Sequence, residues 1–188
     1  MSNNMLLVLS GHSGAGKSYL VKAVLDEYDD FIYSVSATTR PPRRGEQEGK
    51  DYFFVTEEAF REMIGSNGLI EWAKVYDTDY YGTPRWFIDE NLEKQSIIID
   101  ADVQGGIQIM NTFPEAVSVF VKTEDIDTLE ERLKKRGDVS PQNIKKRLAA
   151  ARKELSHASL YRHVIINRAF EEAFSELKHI IECHRASS

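Results

Sequence analysis

The sequence has little of several features on which large classes of protein depend. Cys183 is the only cysteine among 188 residues, so no internal disulfide can form and a reducing compartment is the natural setting. The net charge is −6, with 24 Lys and Arg against 30 Asp and Glu, which argues against the basic faces of nucleic-acid-binding proteins. The apolar run 5–9 has no basic residues before it and is too short for a membrane span or secretion signal. We therefore expect a cytosolic protein that binds neither nucleic acid nor membrane, as a monomer or a homo-oligomer.

Metal-ligating and nucleophilic side chains are also scarce. The five histidines show no spacing typical of a zinc site. Cys183 falls in an apolar helical pattern, so we expect its thiol to pack rather than to react. Trp72 and Trp86, the only tryptophans, are expected to fill the core or a hinge.

Short apolar runs alternate with helical patterns over most of the chain. Hydrophobic residues make up 41% of the sequence and charged residues 29%, enough to bury a core. The runs typical of buried strands are 5–9, 97–99, 117–121 and 164–166. The helical patterns are 17–28, 102–110, 126–136, 141–157 and 169–183. This alternation predicts an α/β fold with a parallel sheet flanked by helices.

Two segments depart from this alternation. Between residues 34 and 81, strand-like pieces at 52–55 and 69–75 enclose one helix at 57–64, which predicts a small, partly antiparallel insert. Residues 134–152 are rich in Lys and Arg and contain a helix break at Gly137 and Pro141. We therefore divide the chain into a core of residues 1–33 and 84–188, an insert of residues 34–83, and a helical lid at about 134–152 within the core.

A glycine-rich loop follows the first predicted strand and opens a helix. It matches G-x-x-x-x-G-K-[ST] in full, through Gly11, His12, Ser13, Gly14, Ala15, Gly16, Lys17 and Ser18. Backbone N–H groups of such a loop cradle phosphates, Lys17 places a charge on the β- and γ-phosphates, and Ser18 offers a hydroxyl to Mg²⁺. The alternative is a glycine turn that happens to precede a lysine. The motif predicts a nucleoside triphosphate and Mg²⁺ but does not distinguish a kinase from a GTPase or an ATPase.

A second anion site is indicated by Arg40, Arg43 and Arg44, three arginines within five positions. Pro41 and Pro42 stiffen the chain between them, and arginine forks suit phosphate oxygens. The alternative is a solvated run of charge.

These arginines lie inside a longer pattern that resembles the signature of guanylate kinases. The pattern is Ser-x-Ser-x-Thr-Thr-Arg-x-Pro-Arg-x-Gly-Glu-x-x-Gly-x-Asp-Tyr-x-Phe, from Ser34 to Phe54. The resemblance continues, in the family's order, through Ile70–Ala73, Tyr80–Pro84, Asp100–Gly105, Lys135–Gly137, Lys146–Leu148 and Val164–Asn167. It therefore covers nearly the whole chain, and it implies a P-loop core with an insert for GMP and a lid.

The resemblance also implies the reaction and the acceptor site. The γ-phosphate of ATP would pass to GMP, and also to dGMP, by direct in-line transfer with Mg²⁺ in purine nucleotide metabolism. The residues implied to bind the GMP phosphate are Arg40, Arg43, Tyr52 and Tyr81, and Glu46 is placed in the same site. Glu71 would accept from guanine N1–H and the 2-amino group, while Ser36 and Thr83 would address the O6 edge. An exposed strand carboxylate is the alternative for Glu71.

Further residues are implied on the donor side and at the metal. Asp100 and Asp102 would serve the Mg²⁺ shell and the GMP ribose. Asp100, at the end of a predicted strand, is placed at the metal with Ser18, and Asp102 is placed with GMP; capping of a helix by Asp102 is a compatible alternative. Asn167 would lie near adenine. The residues implied to be catalytic are Lys17, Arg40, Arg43, and the lid arginines Arg136 and Arg147.

Three positions depart from the family pattern. His12 stands where proline is common and is expected to contribute only its backbone. Arg168 stands where an acidic residue is usual, which affects the expected contacts with adenine. The loop 76–79 is one residue longer than usual.

Two other functions remain open from the sequence. A guanylate-kinase-like interaction module keeps the fold but has lost ATP chemistry, and the intact Gly16-Lys17-Ser18 and lid arginines argue against it. A P-loop kinase for AMP or a pyrimidine nucleotide is the other, and the contexts of Glu71 and Thr83 argue against that one.

Overall fold

The computed structural model describes residues 4–75, 78–135 and 141–187. The strands in these residues are β1 (Leu6–Ser10), β2 (Phe31–Tyr33), β3 (Ala37–Thr38), β4 (Phe53–Phe54), β5 (Leu69–Val75), β6 (Asp79–Pro84), β7 (Ser96–Asp100), β8 (Val117–Lys122) and β9 (His163–Ile166). The α-helices are α1 (Lys17–Glu27), α2 (Glu57–Gly65), α3 (Arg85–Leu92), α4 (Val103–Thr112), α5 (Ile126–Lys135), α6 (Pro141–Leu155) and α7 (Phe170–Ser187), and a short 3₁₀ helix covers Ala158–Leu160.

The central sheet has five strands in the order β2-β7-β1-β8-β9, and all of its pairings are parallel. The predicted parallel sheet is confirmed, and each of the four apolar runs is one of its strands. The fifth strand, β2, was not predicted, because three residues at a sheet edge carry too little apolar sequence to stand out. Because the strands are parallel, β1, β2 and β7 all end at the same edge, and this edge carries the site.

The core lies on both faces of this sheet because side chains alternate along each strand. On β1, Leu7 and Leu9 face a cluster that includes residues of α1 and α7. Leu6 and Val8 face the opposite cluster, which includes residues of α3 and α4. Burial on both faces explains why β1 reads as a continuous apolar run.

The second sheet is mixed and has the order β4-β3-β6-β5. Strand β3 pairs parallel to β4 and antiparallel to β6, and β5 pairs antiparallel to β6. The predicted partly antiparallel character of this segment is confirmed. The strands β3 and β6 and the helix α3 were not predicted. β5 is an edge strand, with a register shift between Leu69 and Glu71.

Three expectations about side-chain packing were wrong. Cys183 lies on α7 as expected but is exposed, because it falls beside the buried stripe of Ala173, Leu177, Ile180 and Ile181 and outside it. Trp72 is 38% exposed and Trp86 is 44% exposed, so neither fills the core. Both belong to or follow the short strands of the second sheet, which bury less of each side chain than the central sheet does.

Some predictions lie outside the described residues. These are the lid arginine Arg136, the helix break at Gly137, and the first part of the loop 76–79. Within the described residues, no helix combines the length and the apolar character needed to cross a bilayer.

Candidate active site

The glycine-rich loop joins β1 to α1 at the edge where the parallel strands end. Gly16 precedes the first residue of α1 with φ 95°, a left-handed conformation that side chains other than glycine rarely adopt. A Cβ at Gly16 would also lie 2.4 Å from Asn167 Nδ2. The loop therefore turns tightly into the helix and points backbone N–H groups and the positive end of α1 at one small cavity. That cavity, of about 150 Å³, is lined by His12, Ser13, Gly14, Gly16, Lys17, Ser18 and Tyr19.

Lys17, Ser18 and Asp100 meet above this cavity. The Lys17 ammonium donates to the Gly11 carbonyl oxygen at 2.8 Å and lies 3.8 Å from Asp100 Oδ1. The Ser18 hydroxyl donates to Asp100 Oδ2 at 3.2 Å. Burial raises the pKa of Asp100, although Lys17 and Ser18 act against that shift. The structure thus brings these three predicted residues together from β7 and the start of α1.

Asn167 is bonded to the glycine-rich loop through its side chain. Its side-chain amide donates to the Ala15 carbonyl oxygen at 2.8 Å, and the residue is 6% exposed. Arg132 of α5 donates to the Asn167 carbonyl oxygen at 2.7 Å and to that of Arg168 at 3.3 Å. Arg132 was not predicted from the sequence, where it is one of many basic residues on an exposed helical pattern.

The side chain of His12 makes a structural contact that the sequence did not indicate, in addition to the backbone contribution expected of this position. The imidazole is fully buried, and Nε2 accepts from the Thr123 backbone N–H at 3.1 Å. Nδ1 lies 3.2 Å from the Ser13 carbonyl oxygen and must therefore carry the proton that it donates. Because Nε2 is an acceptor and Nδ1 a donor, the ring is neutral. Burial lowers the pKa of His12, and nearby Lys17 and Arg132 lower it further. His12 thereby ties the loop to the connection between β8 and α5.

A larger cavity, of about 400 Å³, opens beside the glycine-rich loop. It is lined by Gly14, Gly16, Tyr19, Arg132, Leu133, Asn167 and Phe170. Tyr19 and Phe170 are exposed aromatic residues, and neither was predicted as part of a site because single aromatics on amphipathic helices are common. The flat rings, the amide of Asn167 and the guanidinium of Arg132 suit a planar base.

A second cavity, of about 190 Å³, lies between the two sheets. Its lining is Tyr33, Ser36, Asp51, Tyr52, Glu71, Ala73, Val75, Tyr81, Asp100, Ala101 and Asp102. Most of the residues predicted for GMP therefore face one space. Tyr33 was missed because it ends the unpredicted strand β2. Burial and the charge of Asp100 raise the pKa of its phenol to about 12, so the hydroxyl end is shielded even though 40% of the residue is exposed.

Arg40 is held in place by Glu46. The two guanidinium nitrogens donate to the two carboxylate oxygens, each at 2.7 Å, and Arg43 donates its backbone N–H to Glu46 Oε2 at 2.6 Å. These bonds lower the pKa of Glu46 to about 2, so this carboxylate stays ionised. The Arg40 guanidinium also lies over the ring of Tyr52, 4.9 Å from its centre. Arg40 is thus a rigid cation with one edge of its fork already paired.

Glu71 projects from β5 and is partly buried. Its Oε1 accepts from the Thr83 hydroxyl at 2.7 Å across the strand pair. Burial and, to a smaller degree, the charge of Asp102 raise the pKa of Glu71 to about 7, although the Thr83 bond lowers it. The alternative of an exposed strand carboxylate is excluded by this burial.

The first turn of α4 is shaped to admit Glu71. Asp102 caps this helix by accepting from the Gly105 N–H at 2.7 Å, as the sequence predicted. A Cβ at Gly105 would lie 2.8 Å from Glu71 Oε2 and 3.3 Å from Glu71 Cδ. Glycine at this position therefore lets the carboxylate rest against the helix backbone.

Of the other predicted cations, Arg43 and Arg147 lie within the described residues. Arg43 is exposed, and its guanidinium makes no contact that the structure describes. Arg147 lies on α6, partly exposed, and makes no hydrogen bond or ion pair within the described ranges. Arg136 lies outside those ranges. In the described part of the chain, no group of three or more His, Cys, Asp or Glu side chains is arranged to hold a metal.

A glycine-rich loop of the P-loop type faces, across Asp100, a second cavity whose Tyr52 stacks on Arg40. This arrangement defines a class, the P-loop phosphotransferases that act on a nucleotide. A sequence model of the guanylate kinase family matches residues 3–184. The chain is 43% identical over 178 residues to a guanylate kinase of Caldanaerobacter subterraneus, covering 94% of this chain and 86% of that protein. It is 44% identical over 183 residues to one of Fusobacterium nucleatum, covering 97% and 98%.

The fold agrees with these sequence relationships. A crystal structure of guanylate kinase from Anaplasma phagocytophilum superposes with a TM-score of 0.73 at 31% identity, covering 97% of this chain and 86% of that one. The chain belongs to the guanylate kinase family. The reaction of this family is the ATP-dependent phosphorylation of GMP to GDP, and the predicted resemblance is confirmed.

Proposed function

We propose that the cavity beside the glycine-rich loop takes ATP and that the cavity between the sheets takes GMP, with Lys17 and Asp100 at the junction. The observation that carries this proposal is Glu71, a partly buried carboxylate that lines the second cavity, together with the Arg40 guanidinium that lies over Tyr52 of the same cavity. One group reads a base and the other binds a phosphate. In this division the insert, residues 34–83, holds GMP, and the lid, about 134–152, closes over both substrates.

Guanine suits the surroundings of Glu71 better than adenine does. Guanine presents N1–H and the 2-amino group as donors on one edge, whereas adenine presents N1 as an acceptor. The ionised Glu71 carboxylate accepts both donors, while Ser36 and Thr83 address the O6 edge. Adenine would leave the buried carboxylate unpaired, and such mismatches reduce kcat/KM on the order of 10⁴-fold in favourable cases.

The phosphate of GMP belongs at the opposite end of the cavity. Arg40, Arg43, Tyr52 and Tyr81 bind it, and Glu46 supports Arg40 rather than the phosphate, since two anions would repel each other. Arg40 donates to Glu46 and to the Pro41 carbonyl oxygen, and its other N–H groups would meet phosphate oxygens. Asp102, at the cavity wall near Glu71, is available to the ribose.

The residues at the junction fit a magnesium ion bound with ATP. The Ser18 hydroxyl and the Asp100 carboxylate lie 3.2 Å apart and supply the hard oxygen ligands that Mg²⁺ prefers, with the remaining ligands from phosphate and water. When bound, the ion neutralises charge on the β- and γ-phosphates. Lys17 leaves the Gly11 carbonyl and Asp100 to contact those same phosphates.

Transfer proceeds in line, without a phosphoenzyme and without a strong general base, because the attacking GMP phosphate oxygen is already anionic. The chain lowers the barrier by alignment and by cations around the transferring group. Lys17 and Arg40 supply two of these cations, and Arg43, Arg136 and Arg147 supply the others when the lid closes. Closure also excludes water and so prevents hydrolysis of ATP.

The proposed function is tested with a panel of acceptors. We expect purified protein with ATP and Mg²⁺ to convert GMP and dGMP to diphosphates, with far lower kcat/KM for IMP, AMP and UMP. A protein that folds and binds GMP but shows no turnover is an interaction module instead. AMP or UMP as the best acceptor would show a different nucleotide kinase.

The route of transfer has its own test. With ATP made chiral at the γ-phosphorus as a thiophosphate, one in-line step inverts the configuration at phosphorus. Retention would show an even number of transfers and a phosphoenzyme.

A further inference from the structure

We propose that Gln108 is a positioning residue for guanine recognition, whose amide holds the edge strand β5 against α4 so that Glu71 stays in register with the base. This inference rests on the proposed role of Glu71. Gln108 touches neither predicted substrate site, and it acts through the backbone of the residue next to Glu71.

The contact between Gln108 and β5 is a pair of hydrogen bonds. The Trp72 N–H donates to Gln108 Oε1 at 3.2 Å, and Gln108 Nε2 donates to the Trp72 carbonyl oxygen at 3.1 Å. β5 lies at the edge of its sheet, and Trp72 pairs with Gly82 of β6 on its inner side. The amide therefore takes the place of a neighbouring strand at the outer side of β5. A carboxamide suits this place because it offers one donor and one acceptor side by side.

Glu71 and Trp72 are consecutive on β5, and their contacts on α4 are three residues apart. Glu71 rests on Gly105, and Trp72 is bonded by Gln108, which lies on the same face of the helix one turn later. The two contacts fix both the distance and the register between β5 and α4. The remaining support for the Glu71 carboxylate is the Thr83 hydroxyl, which belongs to the insert itself and moves with β5.

This arrangement links the insert to the core at the base-reading end of the cavity. α4 is anchored in the core, with Val103, Gly105, Gly106 and Ile109 buried, and its capping residue is Asp102. The separation of Glu71 from Asp102 therefore depends on how β5 lies on α4. If the amide is removed, β5 remains paired with β6 but is no longer hydrogen-bonded to α4 at Trp72.

The first experiment replaces the amide with a side chain of similar length that cannot hydrogen-bond. We expect Gln108→Met to raise the KM for GMP about tenfold, in keeping with two lost hydrogen bonds to neutral groups, while kcat and the KM for ATP change by less than about twofold. Asn111→Leu removes an exposed amide from the same helix and serves as the matched control, with no expected change. An unchanged KM for GMP in Gln108→Met would overturn the proposal.

The second experiment separates positioning from a general structural role. Because Gln108 acts through Glu71, Gln108→Met should also lower the preference for GMP over IMP, which lacks the 2-amino group. A fall in thermal stability with the GMP/IMP preference unchanged would show a structural role and would overturn the proposal. Should Gln108→Met fail to fold, Gln108→Glu keeps the shape, and at pH 8 its carboxylate faces the Trp72 carbonyl oxygen, so the same loss of preference is expected.

The third experiment is a double-mutant cycle with Glu71→Gln, read as GMP affinity by calorimetry. If Gln108 works through Glu71, Gln108→Met should cost less than about twofold once Glu71 is already changed. Additive losses would overturn the Gln108 proposal and leave the role of Glu71 intact. Full GMP affinity in Glu71→Gln alone would instead remove the proposed function of Glu71.

Discussion

The donor side and the acceptor side of the molecule are built in opposite ways. In the proposed function, the donor phosphates meet a loop of consecutive residues, 11–18, which presents mostly backbone N–H donors at the start of α1. The acceptor meets side chains from both sheets and the loops between them, which come together only when the insert packs on the core. A backbone-built site depends on local conformation, whereas a side-chain-built site depends on many separate tertiary contacts.

The same contrast extends to one buried titratable group on each side. His12 lies under the donor loop with a lowered pKa, and Glu71 lies in the acceptor cavity with a raised pKa of about 7. In both cases burial is the largest cause, because it disfavours the charged form of a base and of an acid alike. Acidification therefore favours a destabilising charge on His12 and removes the destabilising charge of Glu71.

The largest expected effect is on the donor side, from Lys17→Met. Removing the cation that contacts the transferring phosphates should lower kcat on the order of 10³-fold, as for other groups that stabilise transition-state charge. GMP affinity by calorimetry should stay within about twofold, since the acceptor site does not use this residue. Lys22→Met, an exposed lysine on the same helix paired with Asp26, is the control. Weakened GMP binding in Lys17→Met would show that the two sides are not separate.

The next effect is on the acceptor side, from Glu71→Gln. The neutral amide cannot accept from both N1–H and the 2-amino group, so kcat/KM for GMP should fall by about 10²- to 10³-fold with the KM for ATP unchanged. Glu58→Gln, on the exposed first turn of α2, is the control. Equal losses for GMP and ATP in steady-state kinetics would point to a folding defect instead of lost recognition.

What could be predicted from the sequence follows the same division. The loop of residues 11–18 was predicted residue by residue, because its conformation is set by local glycines and the helix that follows. The parallel sheet followed from apolar runs such as 97–99 and 117–121. Arg40 and Glu71 were predicted for the acceptor site from resemblance to a family, because the sequence around each residue does not indicate which groups it contacts.

The residues that sequence reasoning missed are those whose role depends on a distant partner. Tyr33 ends a three-residue edge strand, and its place in the acceptor cavity is fixed by strand pairing with β7. Arg132 acts on carbonyl oxygens of residues 167 and 168, far along the chain. His12 was expected to matter only through its backbone, and its bond to Thr123 spans 111 positions. Periodicity and motif spacing carry no information about such pairs.

A third prediction concerns stability: the same variant, Glu71→Gln, that loses activity toward GMP should gain stability. The folded protein holds a proton on Glu71 up to about pH 7, against 4.5 for an ordinary glutamate. The ionisation cost is therefore absent below pH 4.5, grows between 4.5 and 7, and is complete above 7, at up to about 3 kcal/mol. Glu71→Gln should raise the free energy of unfolding by about 2 kcal/mol at pH 8 and by much less at pH 5.

Urea unfolding at the two pH values, without nucleotide, measures this difference. Glu58→Gln, which replaces an exposed carboxylate of α2, is measured alongside as the control. A Glu71→Gln variant that is less stable than the wild type at pH 8 would mean that the Thr83 bond outweighs the burial of the charge.

The fourth prediction uses two glycines. Gly105→Ala places a Cβ 2.8 Å from Glu71 Oε2, so the carboxylate must move, and the KM for GMP should rise about tenfold. Gly65→Ala is the matched control on α2, because no atom lies within 4 Å of its Cβ position. Steady-state kinetics with GMP and ATP distinguish them. If Gly105→Ala leaves the KM for GMP unchanged, the contact between Glu71 and α4 has no part in recognition.

The smallest expected effect concerns His12 and the donor side. The folded pKa of His12 lies below its ordinary value of 6.5, so the neutral ring is favoured and stability is lost as pH falls from 6.5 through the folded pKa. The slope cannot exceed about 1.4 kcal/mol per pH unit for one proton. His12→Gln keeps an acceptor for the Thr123 N–H without a charge and should remove this slope.

Glu71 changes stability in the opposite direction over part of the same range, so the comparison is made in the Glu71→Gln background. There, unfolding free energy should fall less steeply between pH 7 and 5.5 with His12→Gln than with His12, while the exposed His179→Gln should not reduce the slope. Because charged His12 would have to face Lys17, Lys122 and Arg132, acid should also loosen the connection that begins α5. Amide exchange at Thr123 reports this directly. If the Thr123 amide exchanges faster at pH 5.5 with His12 than with His12→Gln, the acid-sensitive contact is the one between His12 and Thr123. If the two exchange rates are equal, the ring stays neutral at this pH and the donor side does not respond to acid.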